Sequence, residues 1–440
     1  MSLGRRTAAI AAWMAVALSM SPHASASAGA PVAWTQFRFD RGHTGVNPFE
    51  TTLSASTVPF LTPAWQAQLG RLVDSSSPAV VDGVVYIGST DGTLWAYPAA
   101  GCGQTLCSTP LWRSTSLAQI IDSPTVANGL VYVGSQTSPS SNDGKLDVFD
   151  ASGCGQPVCA PLWQGLAGKQ SILQSSPAVG RGTVFVGAFD GRLYAFPARG
   201  CGAATCPPLW TGATGGTIES TPTVAGSTVL IGSDDGNLYA FPTAGCGAAT
   251  CLPLWRGHIG SPVYDSTPAV SGTTVFVGSS NALAAFPTEG CGSAICQPLW
   301  LGESHGDFFG GSPAVYRGRV YIGVESEVGV FAAAGCGAAV CGPLWVDFGS
   351  GAQASILSSP TAANGVIYAG RNTAEVLAWR ARPCGKPVCN QIWKGLTGDS
   401  IVSSSPAVVN GTVYIGSADA LFPEDSQGRI YVFDLGSARG

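Results

Sequence analysis

Fourteen cysteines fall into seven pairs of one spacing, C-x4-C: Cys102/Cys107, Cys154/Cys159, Cys201/Cys206, Cys246/Cys251, Cys291/Cys296, Cys336/Cys341 and Cys384/Cys389. Two thiols so placed can close a local disulfide, ligate a metal or exchange redox partners. A structural zinc site needs about four converging ligands, and no histidine accompanies the pairs at a steady offset. The pairs therefore read as disulfides, each stapling one turn, in a chain that meets an oxidising compartment. A ring this small stabilises by about 2 kcal/mol in the loop-entropy relation.

A second set of chemistry-bearing residues stands just ahead of a recurring proline: Asp74, Asp122, Gln174, Glu219 and Asp265. Such groups at similar places in a repeat could line an opening and hold a cation or a polar ligand; the alternative is that they cap turns in solvent. Gly310, Leu357 and Ser403 at the later places leave the set incomplete. A third group follows Trp255 and Trp300 and includes His258, Tyr264, Glu303, His305, Asp307, Phe308 and Phe309. Its two histidines could approach each other, without a third metal ligand in view. Catalysis finds little footing. There is no nucleophile–base pairing, no glycine-rich phosphate loop, no pair of adjacent cysteines and no C-x-x-C-H for haem. No catalytic residue, metal or cofactor is assigned, with PQQ and Ca²⁺ left open.

The elements that must hold these residues repeat. The stretch Ser220–Gly257 contains four runs of 4–6 apolar, β-branched or aromatic residues separated by tight turns at Ala225-Gly226-Ser227, Asp235-Gly236 and the Cys246/Cys251 loop. That pattern is an antiparallel meander. Its opening proline recurs at Pro78, Pro124, Pro177, Pro222, Pro268, Pro313, Pro360 and Pro406. Its closing tryptophan recurs at Trp65, Trp112, Trp163, Trp210, Trp255, Trp300, Trp345 and Trp393. One meander cannot cover both its faces, so copies must stack, and four-stranded units of this period are β-propeller blades. The expected fold is all-β: a single eight-bladed propeller of four-stranded antiparallel blades. The 11% charged residues and 59 glycines suit short strands and many turns.

Blade 8 opens at Pro406 and its third strand, Ile430–Phe433, nearly ends the chain, so its outer strand must come from around Trp65. The termini then share one blade, which removes open sheet edges. Stapled turns and first turns, such as Asp82-Gly83 and Asn128-Gly129, are expected on one rim. The other rim receives the insertions Gln136–Asn142 and Ala418–Gln427 and the loops after Trp255 and Trp300, and any ligand is expected there.

Residues 1–28 read as an export signal: Arg5-Arg6, the apolar run Thr7–Met20, then Ala26-Ser27-Ala28. Residues 29–62 are expected to pack on the ring and residues 63–440 to form the propeller. Within 34–48, WTQFRFDRGHTGVNP, Trp34, Phe37 and Phe39 read as anchors, with ligand contact by Arg38, Asp40 or His43 as the alternative. Signal removal takes the formal charge from −5 to −7, since two arginines and no acids leave. With no basic tract, nucleic acid and anionic membrane are poor partners. A monomer without membrane insertion, secreted or at the cell envelope, is expected.

The unit SSPAV-x-x-G-x-VY-(I/V)-G-S-x-DG-x-L-(Y/W)-A-(F/Y), followed by a turn and LW, resembles the PQQ-like β-propeller repeat over about residues 34–435. A Gly-Cys-Gly-x3-Cys-x-Pro loop stands where that family usually has Asp-x-x-Thr-Gly. The resemblance implies the fold and leaves three functions. The favoured one is a non-catalytic protein-interaction scaffold, as in the BamB propeller subunit of the outer-membrane β-barrel assembly machinery, though this chain has no lipidation cysteine at its cleavage site. The second is a small-ligand or carbohydrate-binding sensor. The third is a PQQ-dependent dehydrogenase, a class that is larger and carries a disulfide between neighbouring cysteines beside the quinone.

Overall fold

The computed structural model describes Met1 and residues 32–115, 117, 119–136, 144–168, 172, 174–303, 309–324, 327–348, 355–418 and 427–436. Residues 32–440 make one unit, separate from residues 1–31. Eight sheets make the ring. In blade 3, strands Ala178–Gly180, Thr183–Ala188, Arg192–Pro197 and Trp210–Ala213 run antiparallel from the axis outward. Every residue of Thr183–Ala188 is buried. A blade flanked on both faces by other blades needs a continuous apolar run rather than a half-polar alternation.

The turns follow from backbone sterics. Asp82-Gly83, Asn128-Gly129, Arg181-Gly182, Asn364-Gly365 and Asn410-Gly411 each have both central residues at positive φ. This is the type I′ geometry that joins two twisted strands and favours Asn or Asp before Gly. The first turn lies beside the stapled turn of its own blade: the Ala99 N–H donates to the Gly83 carbonyl (2.8 Å) and the Ala151 N–H to that of Gly129 (2.9 Å). The two turn types share a rim, as the strand alternation requires.

All seven cysteine pairs are disulfides: Cys102–Cys107, Cys154–Cys159, Cys201–Cys206, Cys246–Cys251, Cys291–Cys296, Cys336–Cys341 and Cys384–Cys389. Each staples its own turn as expected, and the second cysteine does more. The first of every pair is exposed. Cys107, Cys159, Cys206, Cys251, Cys296, Cys341 and Cys389 are instead buried, each within a hydrophobic cluster of the ring. A bonded sulfur carries no strong polar group, so it packs there as a small apolar side chain.

The same seven residues also lie in short strands, six of them at the strand's end and Cys389 within Val388–Asn390, and here the structure departs from a four-stranded blade. Each strand leaves its own blade and pairs in parallel with the outer strand of the preceding one. Val158–Cys159 lies on Arg113–Ser114, Thr205–Cys206 on Gln164–Gly165, and Thr250–Cys251 on Thr211–Gly212. Ile295–Cys296 lies on Arg256–Gly257 and Val340–Cys341 on Leu301–Gly302. In the last of these, Cys389 stands opposite Asp347. Each such sheet has a short fifth strand borrowed from its neighbour. In six of the seven a glycine before the first cysteine permits the close approach, Pro383 standing there before Cys384. A Cβ at Gly245, whose φ is +75°, would stand 2.6 Å from the Trp210 ring. The repeated tryptophan thus serves as the seat of the next blade's clasp.

Blade 8 closes with strand Thr62–Gln68, antiparallel to Arg429–Asp434, and Leu106–Cys107 clasps it from blade 1. Blade 7 is followed by no cysteine loop. Its five strands are completed on the inner edge by Val46–Asn47, parallel to Ala362–Ala363. At its outer edge the Leu61 carbonyl accepts from Trp393 Nε1 (3.1 Å).

Candidate functional site

The axis is where eight inner strands converge, and the hydroxyls of the Ser/Thr-Pro motif close it. The Ser77 N–H donates to Ser123 Oγ (2.9 Å), Ser123 to Ser176 (2.9 Å) and Ser176 to Thr221 Oγ1 (3.0 Å). The belt resumes from Thr267 to Ser312 (2.9 Å), Ser359 (2.7 Å) and Ser405 (2.9 Å), and returns from Ser405 to Ser77 (2.8 Å). The break lies between Thr221 and Thr267, where Ser220 Oγ donates to the Ser266 carbonyl (2.8 Å) and Thr267 Oγ1 is buried without a partner among the described residues. The preceding residue braces the second strand: Ser175 Oγ accepts the Gly187 N–H (2.8 Å) and Ser266 Oγ that of Gly278 (2.9 Å). The motif is therefore a structural device, since buried N–H groups need acceptors.

The segment Val32–Leu61 crosses the axis on the stapled rim. Its carbonyls at Trp34, Thr35, Arg41, Gly42, Thr44 and Gly45 accept the N–H groups of Val80, Val126, Val224, Val270, Val315 and Ala362. These belong to the inner strands of blades 1, 2, 4, 5, 6 and 7. Asn47 Nδ2 adds blade 8 through the Val408 carbonyl (2.9 Å). Arg38, at positive φ, turns its side chain inward. Its Nη2 donates to the Pro313 carbonyl (2.8 Å) and its Nη1 to that of Pro360. Burial pushes this guanidinium down to about 9. His43 is buried beside it, and desolvation, then the Arg38 charge, push the imidazole down to about 3. Arg38 and His43 thus plug the axis.

On the other side of the plug a cavity of about 30 Å³ remains, with Phe37 as its floor and Gln174 and Asp265 in its wall. A space of that size holds one or two waters. Counting back from each proline separates the five polar residues. Gln174, Glu219 and Asp265 are three residues before it, Asp74 is four before and Asp122 two before. Asp122 therefore takes the bracing position, where its Oδ2 accepts the Gly134 N–H (2.7 Å). Buried there, its carboxyl is held well above the ordinary range. Glu219 and Asp265 face each other; burial first, then the Asp265 charge, raises Glu219, while burial first, then the Asp74 charge, raises Asp265 against a hydrogen bond with Glu219 that lowers it. Asp265 also feels Asp74 across the mouth, and burial raises Asp74. The structure thus brings Asp74, Glu219 and Asp265 into one electrostatic neighbourhood and assigns Asp122 to the scaffold. Among the described residues, no group of three or more His, Cys, Asp or Glu is placed to hold a metal ion.

His258 ends the outer strand of blade 4, three strands out from the inner strand, and its Nδ1 lies 3.3 Å from Asn237 Oδ1. It does not join the axial group. His305, Asp307 and Phe308 lie outside the described residues, as do most of the insertions 136–142 and 418–427. A tricyclic tricarboxylate quinone does not fit the axial cavity, and its three carboxylates would meet the acidic mouth.

Sequence reasoning missed two buried groups. Asp347, on the outer strand of blade 6, takes the place where blades 3, 4 and 5 have Gly212, Gly257 and Gly302. Among the described residues its carboxyl oxygens have no hydrogen bond of good geometry, and burial pushes it up to about 7 against the neighbouring Trp345 N–H, which lowers it. Gln36, within the crossing segment, is 4% exposed. An acid at a glycine position of the repeat was the available signal for the first; nothing marked the second.

The sequence profile of the family described as outer membrane protein assembly factor BamB matches residues 62–287 and 160–383. No curated protein sequence matches the chain. BamB from Moraxella catarrhalis is similar in structure, with a TM-score of 0.59 at 17% identity, over 85% of this chain and 97% of that one. Quinohemoprotein alcohol dehydrogenase from Comamonas testosteroni gives a TM-score of 0.67 at 12% identity, over 92% and 81%. A europium-containing methanol dehydrogenase gives 0.63 at 13%, over 92% and 98%. At such identities the structural likeness speaks for the fold alone. The profile match covers well over half of the chain, which belongs to the PQQ-like β-propeller family described as outer membrane protein assembly factor BamB.

Proposed function

We propose that this protein is an exported, non-catalytic propeller that acts as a protein-interaction scaffold at the cell envelope or outside the cell. The observation that carries the reading is the plug. Where converging groups of a propeller could hold a cofactor, Arg38, His43 and Phe37 fill the axis and leave about 30 Å³. Seven local disulfides support an oxidising compartment, in keeping with residues 1–28 as an export signal. No described helix is long and apolar enough to cross a membrane. The fold family supports an interaction role, and the structure of BamB is among those similar to it.

Residue-specific photocrosslinking of the full chain in its native envelope tests this. A discrete crosslinked protein, obtained from one rim and lost from the opposite rim, is the expected result. Crosslinking with no discrete species from either rim would overturn it.

A further inference from the structure

The crossing segment engages the inner strands of seven blades and passes blade 3 by. At Val179, the position matching Val126 and Val224, neither the N–H nor the C=O receives a main-chain bond from the described residues of the segment. A cleft of about 1010 Å³ opens on this rim, walled by the segment and by the first turns of blades 1 and 2, with Val179 in its lining. Its volume falls in the range of ligand-binding clefts.

Three further features describe what would fit. The Gln36 side chain lines the cleft, is 4% exposed, and makes no intramolecular hydrogen bond among the described residues. Neither amide atom of Gln36 is sealed from solvent without a partner, so the amide reaches the cleft and is available to pair with another amide. Asp82 and Asp150 are exposed at the lip, and both fields, after burial, push the Tyr86 hydroxyl up to about 12, so both face the same part of the cleft. Arg41 is the cation lining it. The aromatic rings there, Phe39 and Tyr86, are 8% and 2% exposed, and the Tyr86 hydroxyl donates to the Ala151 carbonyl (2.7 Å). A saccharide would want an open ring face, and none is offered.

We infer that this cleft is a docking groove for an extended protein segment carrying basic side chains. Its backbone carbonyl takes the Val179 N–H, its backbone amide pairs with Gln36, and its Lys or Arg side chains meet Asp82 and Asp150. This is strand addition at an open inner edge, main chain giving affinity and charge giving selectivity. The inference names the surface for the scaffold role and rests on that reading.

The test uses the full-length oxidised protein and a fluorescein-labelled Lys-Val-Lys-Val-Lys peptide, read by anisotropy, with Glu-Val-Glu-Val-Glu as comparison. Saturable binding of the basic peptide, about tenfold weaker in Gln36→Ala, is expected. The exposed pair Asp82→Asn/Asp150→Asn, which leaves the fold alone, should weaken it at least as much and flatten its salt dependence. Binding should also slow hydrogen exchange at Val179. Equal binding of the acidic peptide, no binding of the basic one, unchanged affinity in both variants, or displacement by an N-acetylglucosamine oligomer would overturn the assignment. A crosslinked partner that persists in Asp82→Asn/Asp150→Asn would remove this groove while leaving the scaffold role; absence of any partner would remove the role itself.

Discussion

Trp65→Ala tests how the ring is locked. Trp65 is 4% exposed, its ring lies 6.3 Å from that of Tyr97, and its Nε1 donates to the Ala99 carbonyl (3.2 Å). Trp210, also 4% exposed, sits between Phe185 (6.0 Å) and Phe241 (6.4 Å). Truncating either leaves a cavity worth about 3–5 kcal/mol. The tethers differ. The outer strand at Trp210 follows its pairing partner, Arg192–Pro197, through a stapled turn, whereas Thr62–Gln68 reaches Arg429–Asp434 only around the whole ring. A connection about thirty times longer adds up to about 3 kcal/mol of closure entropy once packing no longer holds the strand. At about 1 °C per kcal/mol for a chain of this size, Trp210→Ala should lower Tm by about 3–5 °C. Trp65→Ala should lower it by about 6–8 °C and speed exchange of the Arg429–Asp434 amides. An equal or smaller loss for Trp65→Ala would refute the latch.

The hydroxyl belt gives a paired test. Thr221→Val strips the acceptor from the Ser176 N–H and should cost about 1–3 kcal/mol in urea unfolding, whereas Thr267→Val, which removes a buried hydroxyl without a partner among the described residues, should be neutral or stabilising. Replacing Cys246 and Cys251 together by Ala should cost about 2 kcal/mol and raise exchange at Thr211 and Gly212, where the clasp lies. Asp347 sets a pH slope. Folded, it keeps its proton up to about 7, while unfolded it releases it near 3.8, so the folded state binds more protons between and stability falls as pH rises through that window. Asp347→Asn should remove that part of the slope in Tm-versus-pH scans. His43 acts oppositely. Its folded value of about 3 lies below the unfolded 6.5, so stability falls as pH drops from about 6.5 to 3, and His43→Gln should flatten that limb.

Much of this architecture was legible because eight prolines and eight tryptophans recur in phase, and a stacked meander has few solutions. Closure followed from the outer strand that blade 8 lacks. The pairing of the cysteines was legible from their spacing, but the burial of Cys159, Cys296, Cys341, Cys389 and their equivalents was not. Their strands are two or three residues long, and nothing in so few residues says which blade they pair with. The polar mouth was half legible. Glu219 and Asp265 were placed together, but Asp122 stands one position nearer its proline, where blades 3 and 5 have the serine that braces the second strand. The plug carries no periodicity because its successive carbonyls serve different blades. Arg38 and His43 look like surface residues in sequence and are buried only because the ring supplies carbonyls at Pro313 and Pro360. The loop holding His305, Asp307 and Phe308 lies outside the described residues.

The central claim is that the chain seals its own axis and works through its surface. A thermal-shift titration of the oxidised protein with PQQ in the presence of Ca²⁺ or Mg²⁺ tests it most directly. The account expects a midpoint that stays constant across the titration. A saturable rise, growing with ligand concentration as mass action requires, would contradict it and return the protein to the quinone-dependent enzymes.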